Sequence, residues 1–205
     1  MNIAIPSATL GRFWSMIAHY HGQIWNGAEF ARSFALSETT IRRWLDVLAG
    51  TFMVRILQPW SENIGKRQVK APKVYVRDSG IFHALLALDS RGALESHPKL
   101  GASFEGFALQ ETIRQLRASP HECYFWATHQ GAELDLLVVR GRKRLGFEFK
   151  RTDAPAVTKS TKIALEDLKL DSLDIVHVGD ETYPLTERVR AVAITRLRQD
   201  LKPLR

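Results

Sequence analysis

The sequence predicts a two-part chain of α+β and α/β character. Residues 1–95 read as a helix-turn-helix with an attached β-hairpin, and residues 96–205 as an αβββαβ core. Three observations predict this. Apolar residues recur at helical spacing through residues 9–48 and then give way to two β-branched runs. A turn-rich stretch, Asp89-Ser90-Arg91-Gly92 to Pro98-Lys99-Leu100-Gly101, is short of core residues and divides the chain near residue 95. Beyond it, one long helical pattern precedes three strand-like runs.

In the first half, Leu10, Phe13, Ile17 and Tyr20 mark a helix over 9–21. Asn26 can cap a second, short helix reaching Phe34, and Ala35-Leu36-Ser37 makes a tight break. Ser37 can cap a third helix, whose apolar stripe is Ile41, Trp44, Leu45 and Leu48. Helix, short turn, helix is helix-turn-helix geometry. The runs 51–59 and 73–76 read as strands, joined by a loop over 61–72 that carries Lys66, Arg67 and Lys70. This order is the outline of a winged helix. In that reading Arg42 and Arg43, which fall off the apolar stripe, face a DNA groove, and Lys66, Arg67 and Lys70 track backbone phosphate. The same exposed face also suits docking to another protein.

In the second half a helix over 102–118 precedes strands at 123–128, 133–139 and 145–150, a helix over 159–168 and a strand at 173–178. The turn Arg140-Gly141-Arg142-Lys143 fixes the register of the middle hairpin. Val139 then faces Arg144, Leu137 faces Gly146, and Asp135 faces Glu148. Alternation puts Leu134, Leu136 and Val138 with Leu145, Phe147 and Phe149 on one apolar face, and Asp135, Glu148 and Lys150 on the other. Carboxylates directly across a strand pair lie about 4.5–5.5 Å apart at Cβ and repel, unless a cation is shared between them. Mg²⁺ or Mn²⁺ suits such oxygen ligands, and Lys150 on the same face can neutralise developing charge. Gly146 beside the cluster leaves room for a phosphate backbone.

Composition bounds the function. The 205 residues are 45% hydrophobic and 25% charged, ordinary for a globular chain. The lone Cys123 excludes an internal disulfide framework and a cysteine zinc site, and fits a cytoplasmic location. The start, Met1 to Pro6, lacks the basic and apolar blocks of a signal peptide, and no apolar run approaches membrane-spanning length. Net charge is +7, with 12 basic against 7 acidic residues in 1–100 and 17 against 15 in 101–205. The excess favours a polyanionic partner, duplex DNA being the expectation.

The motifs Lys70-Ala71-Pro72-Lys73-Val74-Tyr75, Asp78-Ser79-Gly80, Gly101-Ala102-Ser103-Phe104-Glu105, Gly131-Ala132-Glu133-Leu134-Asp135 and Phe147-Glu148-Phe149-Lys150 resemble one family. It is the domain of unknown function at the C-terminus of bacterial and archaeal AAA-type ATPases, a winged helix followed by a PD-(D/E)xK restriction-endonuclease-like domain. The resemblance implies Asp135, Glu148 and the helix-borne Glu105 as ligands of Mg²⁺ or Mn²⁺, with Lys150 as the catalytic lysine. Glu111 on the same helix is the alternative to Glu105. It also implies an ATPase domain as a companion in a full-length protein. No G-x-x-x-x-G-K-[ST] occurs, so no ATP site is expected in this chain. Two functions stay open: a metal-dependent deoxyribonuclease, and a non-catalytic DNA- or partner-binding module with a relic nuclease fold.

Overall fold

The computed structural model describes residues 5–204. Residues 1–4, which carry most of the reading of the N-terminus, lie outside the described residues. The chain is mixed α and β, with nine strands and eight α-helices among the described residues. It forms two compact units that interleave in sequence. The first takes the chain up to Ile56 and Ala71–Gly106; the second takes Leu57–Lys70 and everything from Phe107 on.

The first unit contains α1 (Ser7–His19), β1 (Gln23–Ile24), α2 (Gly27–Phe34), α3 (Glu38–Gly50) and the start of β2 (Val54–Pro59). It continues with β3 (Lys73–Val76), α4 (Ser79–Leu85), α5 (Arg91–Glu95) and the start of α6 (Leu100–Leu116). The expected caps form: the Asn26 side chain accepts from the Glu29 N–H, and that of Ser37 from the Thr40 N–H. Between those helices Ala35 is left-handed at φ 53°, a position usually given to glycine. The stripe Ile41, Trp44, Leu45 and Leu48 is buried, and Phe13 meets Phe30, Phe34 and Trp44 edge to face. β1 lies antiparallel to β3, Gln23 facing Val74.

One close approach in this unit sets a testable sign. His21 is buried; its Nδ1 accepts from the Val76 N–H at 3.0 Å, and its ring lies 4.1 Å from that of Phe82. A Cβ on Gly106 would fall 2.2 Å from His21 Nε2. Helix propensity alone makes a mid-helix Gly→Ala stabilising by about 1 kcal/mol. Here His21 is held and cannot retreat, so Gly106→Ala is expected to destabilise by about 1–3 kcal/mol in urea denaturation.

The second unit adds β4 (Cys123–Ala127), β5 (Glu133–Arg140), β6 (Lys143–Lys150), α7 (Lys159–Asp167) and β7 (Ser172–His177), completing the expected αβββαβ order. Beyond it come β8 (Tyr183–Pro184), β9 (Val189–Ala193) and α8 (Leu197–Asp200), which the sequence reading did not place. The sheet of this unit runs β2 (its last residues), β4, β5, β6, β7, β9, β8. The β4–β5 and β5–β6 pairs are antiparallel; β2–β4, β6–β7 and β7–β9 are parallel.

The hairpin register is as expected where it is paired, with Val139 facing Arg144 and Leu137 facing Gly146. Two expectations about its faces are corrected. First, the β4–β5 register shifts, with Tyr124 facing Leu137 but Trp126 facing Leu134. The extra residue on β5 is a bulge, which breaks simple alternation. Leu134 therefore packs with Leu137 in one cluster with Trp126, Ala164, Leu165, Leu168 and Leu170. Second, the face of Leu137 and Gly146 is not open, because α7 and Leu170 cover it. Gly146 makes room for Leu170, whose Cδ1 would stand 2.6 Å from an added Cβ, and not for a phosphate backbone.

Candidate functional site

The end of β5–β6 away from the turn gathers Glu133, Asp135, Glu148 and Lys150. Regular β5–β6 pairing ends at Leu136 and Phe147, and beyond it the Asp135 carboxylate accepts the Phe149 N–H through Oδ2 at 2.9 Å. A side chain thus takes the place of a ladder carbonyl and fixes the orientation of Asp135. Glu148 is only 3% exposed, and its Oε1 is buried with no hydrogen-bond partner in the structure. Its Oε2 stands 3.9 Å from the Lys150 Nζ, on a side chain that is half exposed. Burial raises the Glu148 pKa above its usual 4.5, and the Asp135 and Glu133 charges push it further up; the nearby Thr161 hydroxyl and Lys150 oppose this.

α7 supplies the other wall. Thr158 caps it, and the Thr158 and Thr161 hydroxyls bond each other at 2.9 Å, holding the first turn closed. Ser160 Oγ accepts the Glu133 N–H and donates to the Glu133 carbonyl, both at 2.8 Å. Sequence reasoning missed Ser160 and Thr161. The spacing Thr158-x-x-Thr161 at the head of a helix was the available signal.

The expected third carboxylate, Glu105, falls in a different unit from Asp135 and Glu148. Among the described residues, no group of three or more His, Cys, Asp or Glu side chains is placed to hold a metal ion. Glu105 belongs to the first unit, where it accepts the Tyr75 hydroxyl at 2.7 Å and lies 3.6 Å from Lys73 Nζ. Lys73 is buried, so its charge needs that partner. The alternative, Glu111, pairs with Arg114 one turn along its own helix.

The residues expected to meet DNA divide between the units. Arg42 and Arg43 are exposed on α3 of the first. Lys66, Arg67 and Lys70 fall in the second, because the loop expected as a wing runs along β4 instead. The Val69 N–H donates to the Ala127 carbonyl, Gln68 bridges Thr128, and the His129 N–H donates to the Arg67 carbonyl. Lys66 pairs with Asp167 at 2.6 Å, while Arg67 and Lys70 remain exposed. No helix among the described residues is long and apolar enough to cross a membrane.

Residues 2–92 match a domain of unknown function (DUF8612), and residues 100–197 match another (DUF4143). Each half has its own domain match. DUF4143 is known as a C-terminal domain of AAA-type ATPases. The matches leave a gap around residue 95, where the turn-rich stretch lies. The chain is 50% identical over 192 residues to the uncharacterized proteins Rv2008c of Mycobacterium tuberculosis and Mb2031c of Mycobacterium bovis. The alignment covers 94% of this chain but only 43% of each relative. Among solved structures, the protein VC1899 from Vibrio cholerae aligns with 93% of this chain and 49% of its own, at 12% identity and a TM-score of 0.30, too slight a likeness to assign a fold.

Proposed function

We propose that the second unit is a PD-(D/E)xK-type, metal-dependent nuclease domain that hydrolyses phosphodiester bonds, and that the first is a helix-turn-helix unit holding DNA through Arg42 and Arg43. The observation that carries this is Glu148: a carboxylate nearly sealed from water, beside Asp135, with one oxygen lacking any hydrogen bond. A fold tolerates a buried, unsatisfied, repelled carboxylate poorly. A divalent cation satisfies that oxygen and reverses the repulsion.

Asp135 and Glu148 are the residues that would hold Mg²⁺ or Mn²⁺, a hard ion that commonly takes one or two carboxylates and fills its remaining positions with water. Such an ion supplies charge stabilisation at phosphorus and a more acidic water. The chain's own residues do the rest. The Phe149 N–H keeps Asp135 turned toward the strand end. Lys150, half exposed at the rim, can place its ammonium on the charge that develops on a phosphate oxygen. Thr161 and the α7 wall shield Glu148 from bulk water.

The domain match supports an ATPase domain elsewhere in a longer protein; action in the cytoplasm on duplex DNA is our reading of the net charge of +7 and the lone cysteine. A second reading, a DNA- or partner-binding module with a relic site, is favoured by one observation: Glu105 is bound to Tyr75 and Lys73. Titration calorimetry and a nicking assay separate the two. The nuclease reading expects heat on adding Mg²⁺ or Mn²⁺ and strand cleavage that stops on chelation. Dilution heat alone, with intact plasmid under every divalent metal, would leave the module reading.

A further inference from the structure

The second unit has a cavity of about 220 Å³ that the acid pair does not use, lined by Lys66, Thr128, Gln130, Gly131, Lys159 and Ser160 among others. No acidic side chain lines it. The Thr128 hydroxyl is spent on the Ala132 backbone and that of Ser160 on Glu133, so both serve to fix the wall. The groups that can meet a ligand are the Lys159 ammonium, the Gln130 carboxamide and, in exchange for its Asp167 contact, the Lys66 ammonium. That set suits an oxyanion with several acceptor atoms. Gly131, at φ +88° with nothing within 4 Å of a notional Cβ, leaves the rim open.

The cavity adjoins the acids through one turn of helix. Ser160, on its wall, clamps the backbone of Glu133, two residues before Asp135, and Thr161 next to it stands beside Glu148. We infer that this cavity is a phosphate subsite, in which Lys66 and Lys159 hold a backbone phosphate of the nucleic-acid strand next to the one at Asp135 and Glu148. The inference rests on the nuclease-type reading of this unit. It gives Lys66 a role beside α7 in place of the wing role that its position in sequence suggested. The Asp167 contact keeps the Lys66 stem along α7, and a part-exposed pair of this kind is weak enough for a phosphate to compete with it.

Fluorescence anisotropy with a labelled duplex, without divalent metal so that nothing is cut, tests it. The double variant Lys66→Met, Lys159→Met keeps both stems but removes both charges. It should bind at least about tenfold more weakly at low salt, with the slope of log affinity against log salt reduced by about 1–2. Lys162→Met, exposed on the same helix but outside the cavity, is the control and should bind far more like the wild type. Equal affinity and slope in the double variant would overturn the subsite, as would no duplex binding by the wild type. A mononucleotide binding as tightly as the duplex would also overturn it, by moving the phosphate to a free-nucleotide source. Cleavage is scored separately. A wild type that binds as expected but never cuts removes the nuclease reading and leaves the phosphate subsite. A wild type that cuts, with the double variant cutting at the same KM, does the reverse.

Discussion

Asp135→Asn is expected to lower metal-dependent cleavage by about 100-fold or more while the fold survives. The substitution removes one of the two charges available to a cation but keeps an oxygen in place. That oxygen still accepts the Phe149 N–H, which the wild-type carboxylate accepts at 2.9 Å. Repulsion against Glu148 disappears, so the metal-free variant should be as stable as wild type or more stable by a few tenths to about 1 kcal/mol. Asp135→Ala separates the two roles. It orphans the Phe149 N–H and should cost about 1–3 kcal/mol in addition to activity. Lys150→Ala should lose activity yet keep calorimetric metal binding, since its ammonium is not a ligand. Thermal denaturation in chelator, run beside the nicking assay, reads all three. If Asp135→Asn is markedly less stable than wild type and the wild type does not cleave, the acids are structural and the module reading replaces the nuclease.

The second large effect is acid instability of the first unit, centred on His21. Burial lowers its pKa from 6.5 to about 4; the Ala102 carbonyl offsets part of this, while Lys99 and His83 add to it. The neutral ring is what the fold accepts, since Nδ1 must stay unprotonated to receive the Val76 N–H. The unfolded chain therefore binds more protons than the folded one between about pH 4 and 6.5. Stability from this group is complete above the unfolded pKa and is lost as pH falls through that window. A shift of this size corresponds to about 3 kcal/mol. His83 is lowered in the same direction by burial and steepens the loss. Urea midpoints of the first unit, followed at amides of α1 and β3 across this pH range, should show the slope in wild type. His21→Leu should be less stable at pH 7, because the Val76 N–H is left unsatisfied, but much flatter with pH. An equally steep variant would assign the acid sensitivity to other groups.

Interactions within a few residues were determined by the sequence itself. Asn26 and Ser37 cap because a short polar side chain can reach an N–H two or three residues ahead without help from elsewhere. The β5–β6 register follows from a tight turn at Gly141, at φ +60°, so Val139 meets Arg144 and Leu137 meets Gly146 whatever packs on them. Asp135, Glu148 and Lys150 were therefore legible as one end of one hairpin. Tertiary structure decided everything that depends on a partner distant in sequence. The bulge that turns Leu134 arises against β4, and the cover over Glu148 comes from α7. The loop carrying Lys66 found the edge of β4, where the Ala127 and Thr128 backbone offered it hydrogen bonds. Glu105 went to Lys73 and Tyr75 because a buried ammonium demands a nearby carboxylate. A helix pattern shows that Glu105 lies on a helix, but which charge it meets depends on long-range packing that local periodicity does not encode.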